Sequence, residues 1–237
     1  MRQIAANVFG FSGWMMGRAY AIVDADGITL VDTGLQPAAA KIVKQLAVHG
    51  YRPPDIKRIL ITHAHPDHIG GLPELQRLSG AVVYASAREK PVVEGREKSV
   101  YPPRETLSGI ARLMAHDAEL QPGTPVDAIV GEGDVIPALG GLRVIETPGH
   151  TAGHLAFWQP QRRILFCGDV VLNLLGLRLP FAAFTPDMAE NIVSVQKLAA
   201  LEPEIICFGH GSPLKNNAAA ALQTFARRVA NPTEKET

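Results

Sequence analysis

The sequence predicts an α/β protein in which β-sheets are stacked face to face beneath outer layers of helices. Three observations support this prediction. Short apolar runs bounded by turn residues recur along the chain, segments with apolar residues at helical spacing alternate with them, and no linker or low-complexity stretch interrupts the pattern. A length of 237 residues suits one large domain or two small halves that share a core. We therefore expect a single domain over residues 1–237.

The first part of the chain predicts a hairpin, a helix and a buried strand. Residues 18–24 and 28–32 are apolar runs joined through Asp26-Gly27, a dipeptide typical of tight hairpin turns. Residues 37–49 carry apolar side chains at helical spacing, with a proline at the first turn and a glycine just after the end. Residues 59–61 form a continuous apolar run, which predicts a strand buried on both faces.

The middle of the chain is less regular. A short helix over 70–78 and a strand over 81–85 are expected, but the pattern degrades between residues 95 and 122. Tyr101-Pro102-Pro103 precedes an amphipathic stretch in that segment. We interpret 95–122 as an inserted loop and helix and as a candidate lid.

The second half repeats the alternation of strands and helices. Five short strands are expected near 126–130, 142–147, 154–159, 163–168 and 205–208. Thr185 is expected to cap a helix that extends to about 200, because Pro186 and Asp187 suit its first turn. A last helix with one apolar face follows residue 217.

Charge and composition exclude several classes of function. The chain has 23 Lys and Arg against 23 Asp and Glu, so it lacks the basic surface that binds nucleic acid or an anionic membrane. We therefore expect a small-molecule substrate. Two cysteines make no disulfide framework, no signal peptide is recognisable, and no apolar run reaches the roughly 20 residues of a membrane span. These features favour a cytoplasmic protein.

The segment His63-Ala64-His65-Pro66-Asp67-His68 is the strongest functional signal. It directly follows the predicted strand 59–61, where the backbone is still extended, so His63 and His65 point the same way and can bind one metal ion. Pro66 then turns the chain, which lets Asp67 and His68 approach from another side.

Three later positions offer further ligands. His150, Asp169 and His210 each lie just past the end of a predicted apolar strand and next to a glycine that allows close backbone approach. Because ligands at strand ends along one edge of a sheet converge, these residues can meet the first cluster.

Together these motifs resemble the ligand set of the metallo-β-lactamase superfamily of hydrolases, and the resemblance extends from Asp32-Thr33-Gly34 to His210. It implies a four-layer αββα sandwich with a two-metal site on one edge. It assigns one metal to His63, His65 and His150 and the other to Asp67, His68 and His210. Asp169 would bridge both metals, and Asp32 would orient ligand imidazoles.

The implied chemistry is hydrolysis. Two divalent ions, zinc or else iron or manganese, would share a hydroxide that attacks a carbonyl carbon. Asp67 and Asp169 are the expected catalytic residues, and the leaving oxygen would be met by the second metal or protonated through Asp67. Within the superfamily the substrate depends on residues around the metals.

The substrate prediction is a carboxylic ester or lactone with an apolar acyl part. Residues 170–184 are rich in Leu and Phe, which predicts either an apolar acyl pocket or a core or subunit interface, as in a homodimer. Acyl-homoserine lactonases carry a tyrosine shortly after the bridging aspartate, and no tyrosine follows Tyr101 here. A mononuclear iron enzyme resembling persulfide dioxygenases and a phosphodiesterase are the alternatives.

Other candidate ligands have simpler interpretations. Cys167 and Cys207 close apolar strands and are expected in the core. His49 and His116 are expected to face solvent. His154, at the start of a strand, is either a support for the ligands or a packed structural residue.

Overall fold

The computed structural model describes residues 1–13 and 16–231, so residues 14–15 and 232–237 of the predicted domain lie outside the described residues. A mixed sheet of seven strands occupies the first half. Its strands, in sheet order, are β1 (Arg2–Ala5), β2 (Val8–Gly10), β3 (Tyr20–Asp24), β4 (Gly27–Val31), β5 (Ile56–Leu60), β6 (Val82–Ala85) and β7 (Ala128–Ile129). The first four strands are antiparallel, and β4 to β7 run parallel.

A second sheet of five strands comes from the rest of the chain. Its strands in chain order are β8 (Val135–Ile136), β9 (Leu142–Glu146), β10 (Leu155–Gln159), β11 (Ile164–Gly168) and β14 (Ile205–Phe208). Strands β8 to β11 form an antiparallel meander, and β14 pairs in parallel with β11. A small separate hairpin is formed by β12 (Leu172–Asn173) and β13 (Leu177–Arg178).

The described part of the chain has seven helices. They are α1 (Ala38–Val48), α2 (Pro66–Ile69), α3 (Leu72–Ser79), α4 (Lys90–Val93), α5 (Gly109–Met114), α6 (Met188–Ala199) and α7 (Ala218–Ala230). All but α5, which buries no residue, pack against the outer faces of the sheets. Single 3-10 turns occur at Pro53–Asp55, Arg104–Thr106 and Ala182–Phe184. None of the helices in the described ranges is long and apolar enough to cross a membrane.

Alternate side chains of each strand define a four-layer αββα order. In β10, Phe157 packs in the cluster between the two sheets, whereas Trp158 packs with α6 and α7 on the outside. On the other side, Leu30 of β4 packs with Ile42 of α1. Each sheet therefore buries one face against the other sheet and one against helices, as the sequence predicts.

Several elements differ in detail from the sequence prediction. The helix expected over 70–78 is observed as α3 (Leu72–Ser79), and the short helix α2 (Pro66–Ile69) precedes it. Gly70 and Gly71 separate the two, and an added Cβ would lie 2.5 Å from the carbonyl oxygen of Pro66 at Gly70 and 2.6 Å from that of Thr33 at Gly71. The N-terminal hairpin β1–β2 was not predicted, because its strands have only four and three residues.

The helix near 185 begins later than predicted. Asp187, rather than Thr185, is its N-cap, since the Asp187 carboxylate accepts a hydrogen bond from the Glu190 backbone N–H at 2.8 Å. Thr185 has an extended backbone, which leaves its side chain free to contact the site described below.

Candidate metal centre

The His-rich segment leaves the end of β5 and turns into α2. His65 has an extended backbone, with φ −80° and ψ 151°, immediately before Pro66 begins the helix. The extended stretch carries His63 and His65, and α2 carries Asp67 and His68. The strand-then-turn geometry expected from the sequence is therefore present.

The remaining predicted ligands arrive from the second sheet. His150 lies in the turn after β9, Asp169 directly follows β11, and His210 follows β14 by two residues. The structure brings all seven predicted residues into one cluster. Their ligand atoms form two groups, each within 4.8 Å: the first group is His63, His65 and His150, and the second group is Asp67, His68 and His210. A third set with the same spacing, His63, His68 and Asp169, overlaps both groups.

The first group consists of three imidazoles. His150 Nε2 lies 3.1 Å from His65 Nδ1, and the two rings are nearly perpendicular at 84°. Two nitrogens bound tetrahedrally to one zinc ion at 2.0–2.1 Å would be about 3.3 Å apart. His63 Nε2 is buried and has no hydrogen-bond partner. The three side chains thus match the spacing of ligands of one ion.

The second group combines a carboxylate with two imidazoles. Asp67 Oδ2 lies 3.0 Å from His210 Nε2 and 3.8 Å from His68 Nε2. The Asp67 and His210 side chains are 15% and 18% exposed, whereas His68 is fully buried. This edge of the cluster therefore faces solvent and gives a substrate access to it.

Asp169 lies between the two groups. Its Oδ2 is 3.7 Å from His150 Nε2 and 3.1 Å from His210 Nε2, and its Oδ1 is 3.5 Å from His68 Nε2. Gly209 permits this position, because a Cβ there would lie 1.9 Å from Asp169 Oδ1. The carboxylate contacts members of both groups, which is the arrangement expected of a bridging ligand.

Buried nitrogen and oxygen atoms without hydrogen bonds indicate which kind of ligand the cluster can bind. Three buried atoms that face the cluster have no hydrogen-bond partner: His63 Nε2, His68 Nε2 and Asp169 Oδ1. Leaving several polar atoms unsatisfied in one buried cluster is costly unless a ligand binds them. Imidazole and carboxylate donors suit zinc, iron or manganese. The residues present therefore fit divalent metal ions.

Burial and charge give the two groups different protonation. Burial lowers the pKa of His63 and His150, and lowers that of His65 to about 4. Burial also opposes the charged form of His210, but the Asp169 and Asp67 carboxylates raise its pKa to about 9. In the metal-free protein, the first group is neutral and the second holds protons shared with carboxylates.

Asp32 supports the second group, as the resemblance implies. Its Oδ2 lies 2.8 Å from His68 Nδ1, and its two oxygens accept hydrogen bonds from the backbone N–H and hydroxyl of Thr62. The Thr62 hydroxyl is also 3.0 Å from His63 Nδ1. These contacts turn the Nε2 atoms of His63 and His68 toward the cluster, so the predicted orienting role of Asp32 is confirmed.

His154 and Thr185 hold ligands in place without being ligands. His154 Nε2 accepts the backbone N–H of Asp169 at 3.1 Å, while its Nδ1 bonds the Thr147 hydroxyl at 2.8 Å. Burial lowers the pKa of His154 to about 3, which keeps the ring neutral and able to accept. Thr185 Oγ1 lies 3.0 Å from His150 Nδ1. A threonine beside a histidine carries too little sequence signal to predict such contacts.

The segment 95–122 contributes an aromatic wall. The Tyr101 ring packs on His65 with 5.2 Å between centroids, and it also contacts His116 and Phe184 at 5.3 and 5.6 Å. His116 is exposed, as expected, and its ring also packs against those of Tyr101 and Phe184. Ile110 and Leu113 of α5 point to solvent. That the segment moves as a lid stays a prediction.

The Leu-rich segment 170–184 is divided between several environments. Leu177 and Leu179 pack against the cluster that includes α6 and α7, and Leu175 is fully exposed. Within the segment, Phe184 lies near the cluster, because its ring contacts Tyr101, which packs on His65. The other predictions hold: Cys167 and Cys207 are buried free cysteines, and His49 is exposed.

Comparison with known proteins gives the same assignment. A family model described as the metallo-beta-lactamase superfamily matches residues 12–210. A probable metallo-hydrolase, YflN, of Bacillus subtilis (strain 168) is 33% identical over 225 residues, covering 85% of this chain and 82% of that protein. A hydroxyacylglutathione hydrolase of Fuscovulum blasticum is 36% identical over 177 residues, covering 73% of this chain but only 54% of that protein.

Solved structures show the same fold. BJP-1, a subclass B3 metallo-beta-lactamase of Bradyrhizobium japonicum, superimposes with a TM-score of 0.70 at 26% identity and covers 97% of this chain and 90% of that one. A metallo-beta-lactamase family protein of Thermus thermophilus also has a TM-score of 0.70, at 24% identity, and covers 96% of this chain and 79% of that one. With the ligand cluster and the αββα layers, these similarities establish that the chain belongs to the metallo-beta-lactamase superfamily and is a metal-dependent hydrolase.

Proposed function

We propose that the protein is a dinuclear zinc hydrolase of carboxylic esters or lactones with an apolar acyl part. The observation that carries the proposal is the three overlapping sets of His and Asp residues, within each of which the ligand atoms lie within 4.8 Å of one another. Divalent ions held there would lower the pKa of a water molecule and polarise a substrate carbonyl. The first group offers neutral imidazoles for one ion, and the second adds carboxylate donors for another.

Asp67 is the residue best placed to handle the proton of the reaction. It lies at the solvent-facing edge, and burial opposes its ionisation, but the His68 charge holds the pKa of the carboxyl below its usual value. An ionised carboxylate at this edge can accept a proton during attack and return it to the leaving oxygen. His210, at 3.0 Å, keeps the Asp67 carboxylate in position.

The aromatic wall supports an apolar acyl part. Tyr101 packs against His65 at an interplanar angle of 55°, and the rings of His116 and Phe184 pack against Tyr101 edge-on. Rings beside a polar centre are typical of sites that bind an apolar group and orient it by a few polar contacts.

A thioester is the second candidate substrate. Hydroxyacylglutathione hydrolases are among the proteins to which this chain is similar, by 36% over the aligned part in one case. A thioester has the same acyl carbon as an ester but a sulfur leaving group, which needs less protonation. Asp67→Asn should therefore slow ester hydrolysis more than thioester hydrolysis.

An activity panel on protein of measured metal content tests the proposal. Zinc-loaded enzyme should hydrolyse aryl esters and lactones, and Asp169→Ala should lose nearly all turnover. Wild-type activity in Asp169→Ala would reject the site. One iron per chain with oxygen consumption on a thiol persulfide would instead identify an oxidoreductase, and activity on phosphodiesters alone would identify a phosphodiesterase.

A further inference from the structure

Glu89 is a buried carboxylate that contacts two ligand-bearing loops. It precedes α4 and is 5% exposed. Its Oε2 accepts a hydrogen bond from the backbone N–H of Ala64 at 2.8 Å. Its Oε1 accepts bonds from the hydroxyl of Thr151 at 2.6 Å and from the backbone N–H of Gly153 at 3.0 Å.

The partners of Glu89 stand directly beside the first ligand group. Ala64 separates His63 from His65 in the segment after β5, and Thr151 follows His150 in the turn after β9. These two segments leave different sheets. One carboxylate therefore connects the two segments whose three imidazoles must meet at one ion.

No cation in the described part of the chain accounts for the buried carboxylate of Glu89. Within the described residues, no Lys, Arg or His nitrogen lies within ion-pair distance of Glu89, and burial raises its pKa. A buried carboxylate without a cation is costly, and an apolar side chain would stabilise the core at lower cost. All three hydrogen bonds that its carboxylate accepts come from the two ligand-bearing segments.

The surroundings of Gly153 show independently that the contact between Glu89 and the His150 segment is tightly packed. A Cβ at position 153 would lie 2.8 Å from Glu89 Oε1 and 2.5 Å from the Ser86 hydroxyl. The Ser86 hydroxyl in turn accepts the backbone N–H of Glu89 at 3.1 Å. Any side chain at 153 would push the His150 segment away from the carboxylate.

We propose that Glu89 is a positioning residue for the first ligand group. It fixes the separation between the His63–His65 segment and the His150 segment, and thereby sets the affinity of that group for a divalent ion. The second group, held by Asp32 instead, is unaffected. The inference rests on the metal site of the proposed function but on no choice of substrate.

Zinc titration in two single-site backgrounds tests this role. His210→Ala weakens the second group, and His65→Ala removes the first, so each background reports mainly on one ion through competition with a chromophoric chelator. Adding Glu89→Gln should lower zinc affinity about 10- to 100-fold in His210→Ala and less than about threefold in His65→Ala. Gly153→Ala should show the same selectivity, and Thr151→Val a smaller loss of the same kind.

Controls separate positioning from folding. Glu94→Gln alters a carboxylate that directly follows α4. The Glu94 carboxylate accepts a hydrogen bond from the backbone N–H of Val126 and contacts neither ligand-bearing segment, so zinc affinity should stay unchanged in both backgrounds. The visible absorption of cobalt in the His210→Ala background reports ligand geometry directly, and Glu89→Gln should change it. If Glu89→Gln does not fold, Gly153→Ala and Thr151→Val carry the test.

Equal losses in both backgrounds, or no loss in either, would overturn the role of Glu89. If the wild-type protein still binds two zinc ions in that case, the proposed function stands. A wild-type protein that binds no zinc would overturn both.

Discussion

The metal-binding cluster depends on single residues that are not ligands. Asp32 has a left-handed backbone with φ 58°, a conformation that L-residues rarely adopt. From that position its carboxylate bonds the backbone N–H and hydroxyl of Thr62 and the Nδ1 atom of His68. Strain of this kind persists where the surroundings fix it, and here it fixes which nitrogen of His68 faces the cluster.

Replacing Asp32 should weaken the second ligand group, because Asp32 bonds His68 directly. In Asp32→Asn an NH₂ group takes the place of one acceptor oxygen, so it cannot satisfy both Thr62 and His68. The zinc affinity of the Asp67, His68 and His210 group should fall about 10- to 100-fold. Chelator competition in the His65→Ala background measures this. The exposed Asp26, paired with Arg58, supplies the control variant Asp26→Asn, and equal effects of the two would contradict the assignment.

Gly209 is the residue that admits the bridging carboxylate. An added Cβ would lie 1.9 Å from Asp169 Oδ1 and 2.8 Å from His68 Cε1. Gly209→Ala should therefore displace Asp169 and lower hydrolytic turnover at least about tenfold, as expected when a ligand of a metal site is misplaced. Ester hydrolysis and bound zinc per chain measure the effect. Gly133→Ala, at an open position with φ +85°, should leave turnover intact.

The two groups should respond differently to pH. The Asp169 and Asp67 carboxylates overcome burial and raise the pKa of His210 to about 9, whereas burial lowers the pKa of His65 to about 4. Near neutrality, zinc must therefore displace protons from His210 and from His68, whose pKa nearby carboxylates also raise although burial opposes it, but none from His65. Between about pH 6 and 8, zinc affinity should rise at least about tenfold per pH unit in His65→Ala and stay nearly level in His210→Ala. Parallel pH profiles would refute this difference.

Among the elements, the start of α6 shows how a local pattern can mislead. Thr-Pro-Asp suits a cap followed by a first turn, but the chain stays extended at Thr185 and the helix begins after Asp187. Tertiary contacts decide between the two registers. Thr185 bonds His150 Nδ1, while Asp187 caps the helix through the Glu190 N–H.

Two substitutions at this helix start should separate stability from metal binding. Asp187→Ala removes the cap and should lower the free energy of unfolding by about 1 kcal/mol, with zinc affinity unchanged. Thr185→Val keeps the volume but removes the partner of His150 Nδ1, so zinc affinity of the first group should fall. Urea unfolding and chelator competition give the two readouts, and a loss of zinc affinity in Asp187→Ala would contradict the assignment.

Across the whole molecule, the layers and the ligand cluster could be predicted because both depend on local signals. Alternating apolar residues mark Phe157 and Trp158 as facing opposite sides of one strand. The His63 to His68 segment and three strand-end positions carry recognisable ligand types.

The supporting contacts could not be predicted from the sequence. Glu89 bonds Ala64 and Gly153, which are distant in the chain, and nothing in the residues around Glu89 indicates those partners. Tyr101 lies in an irregular segment, so its packing on His65 follows only from the folded chain. Predicting such residues requires the docking of the two sheets, which is a property of the tertiary structure.

Metal removal should weaken the whole fold. The first sheet supplies His63 and His65, and the second supplies His150, Asp169 and His210, so bound ions connect both halves. Ions that bind only the native state stabilise it by about 4 kcal/mol at free concentrations roughly 1,000 times their Kd. Chelator treatment should lower the melting temperature, and zinc should restore it. An unchanged melting temperature after verified metal loss would contradict the placement of ligands on both sheets.

The Tyr20 hydroxyl donates a 2.6 Å hydrogen bond to the Phe208 carbonyl, two residues before His210, and so fastens a strand of the first sheet to a strand of the second. His210 therefore reaches its neighbours only after the two halves of the chain have docked. Metal binding by the cluster is then expected among the last events of folding. If cobalt is added during refolding, its final absorption spectrum should appear only after the two sheets have docked. The rate at which that spectrum appears would therefore measure the last step of folding.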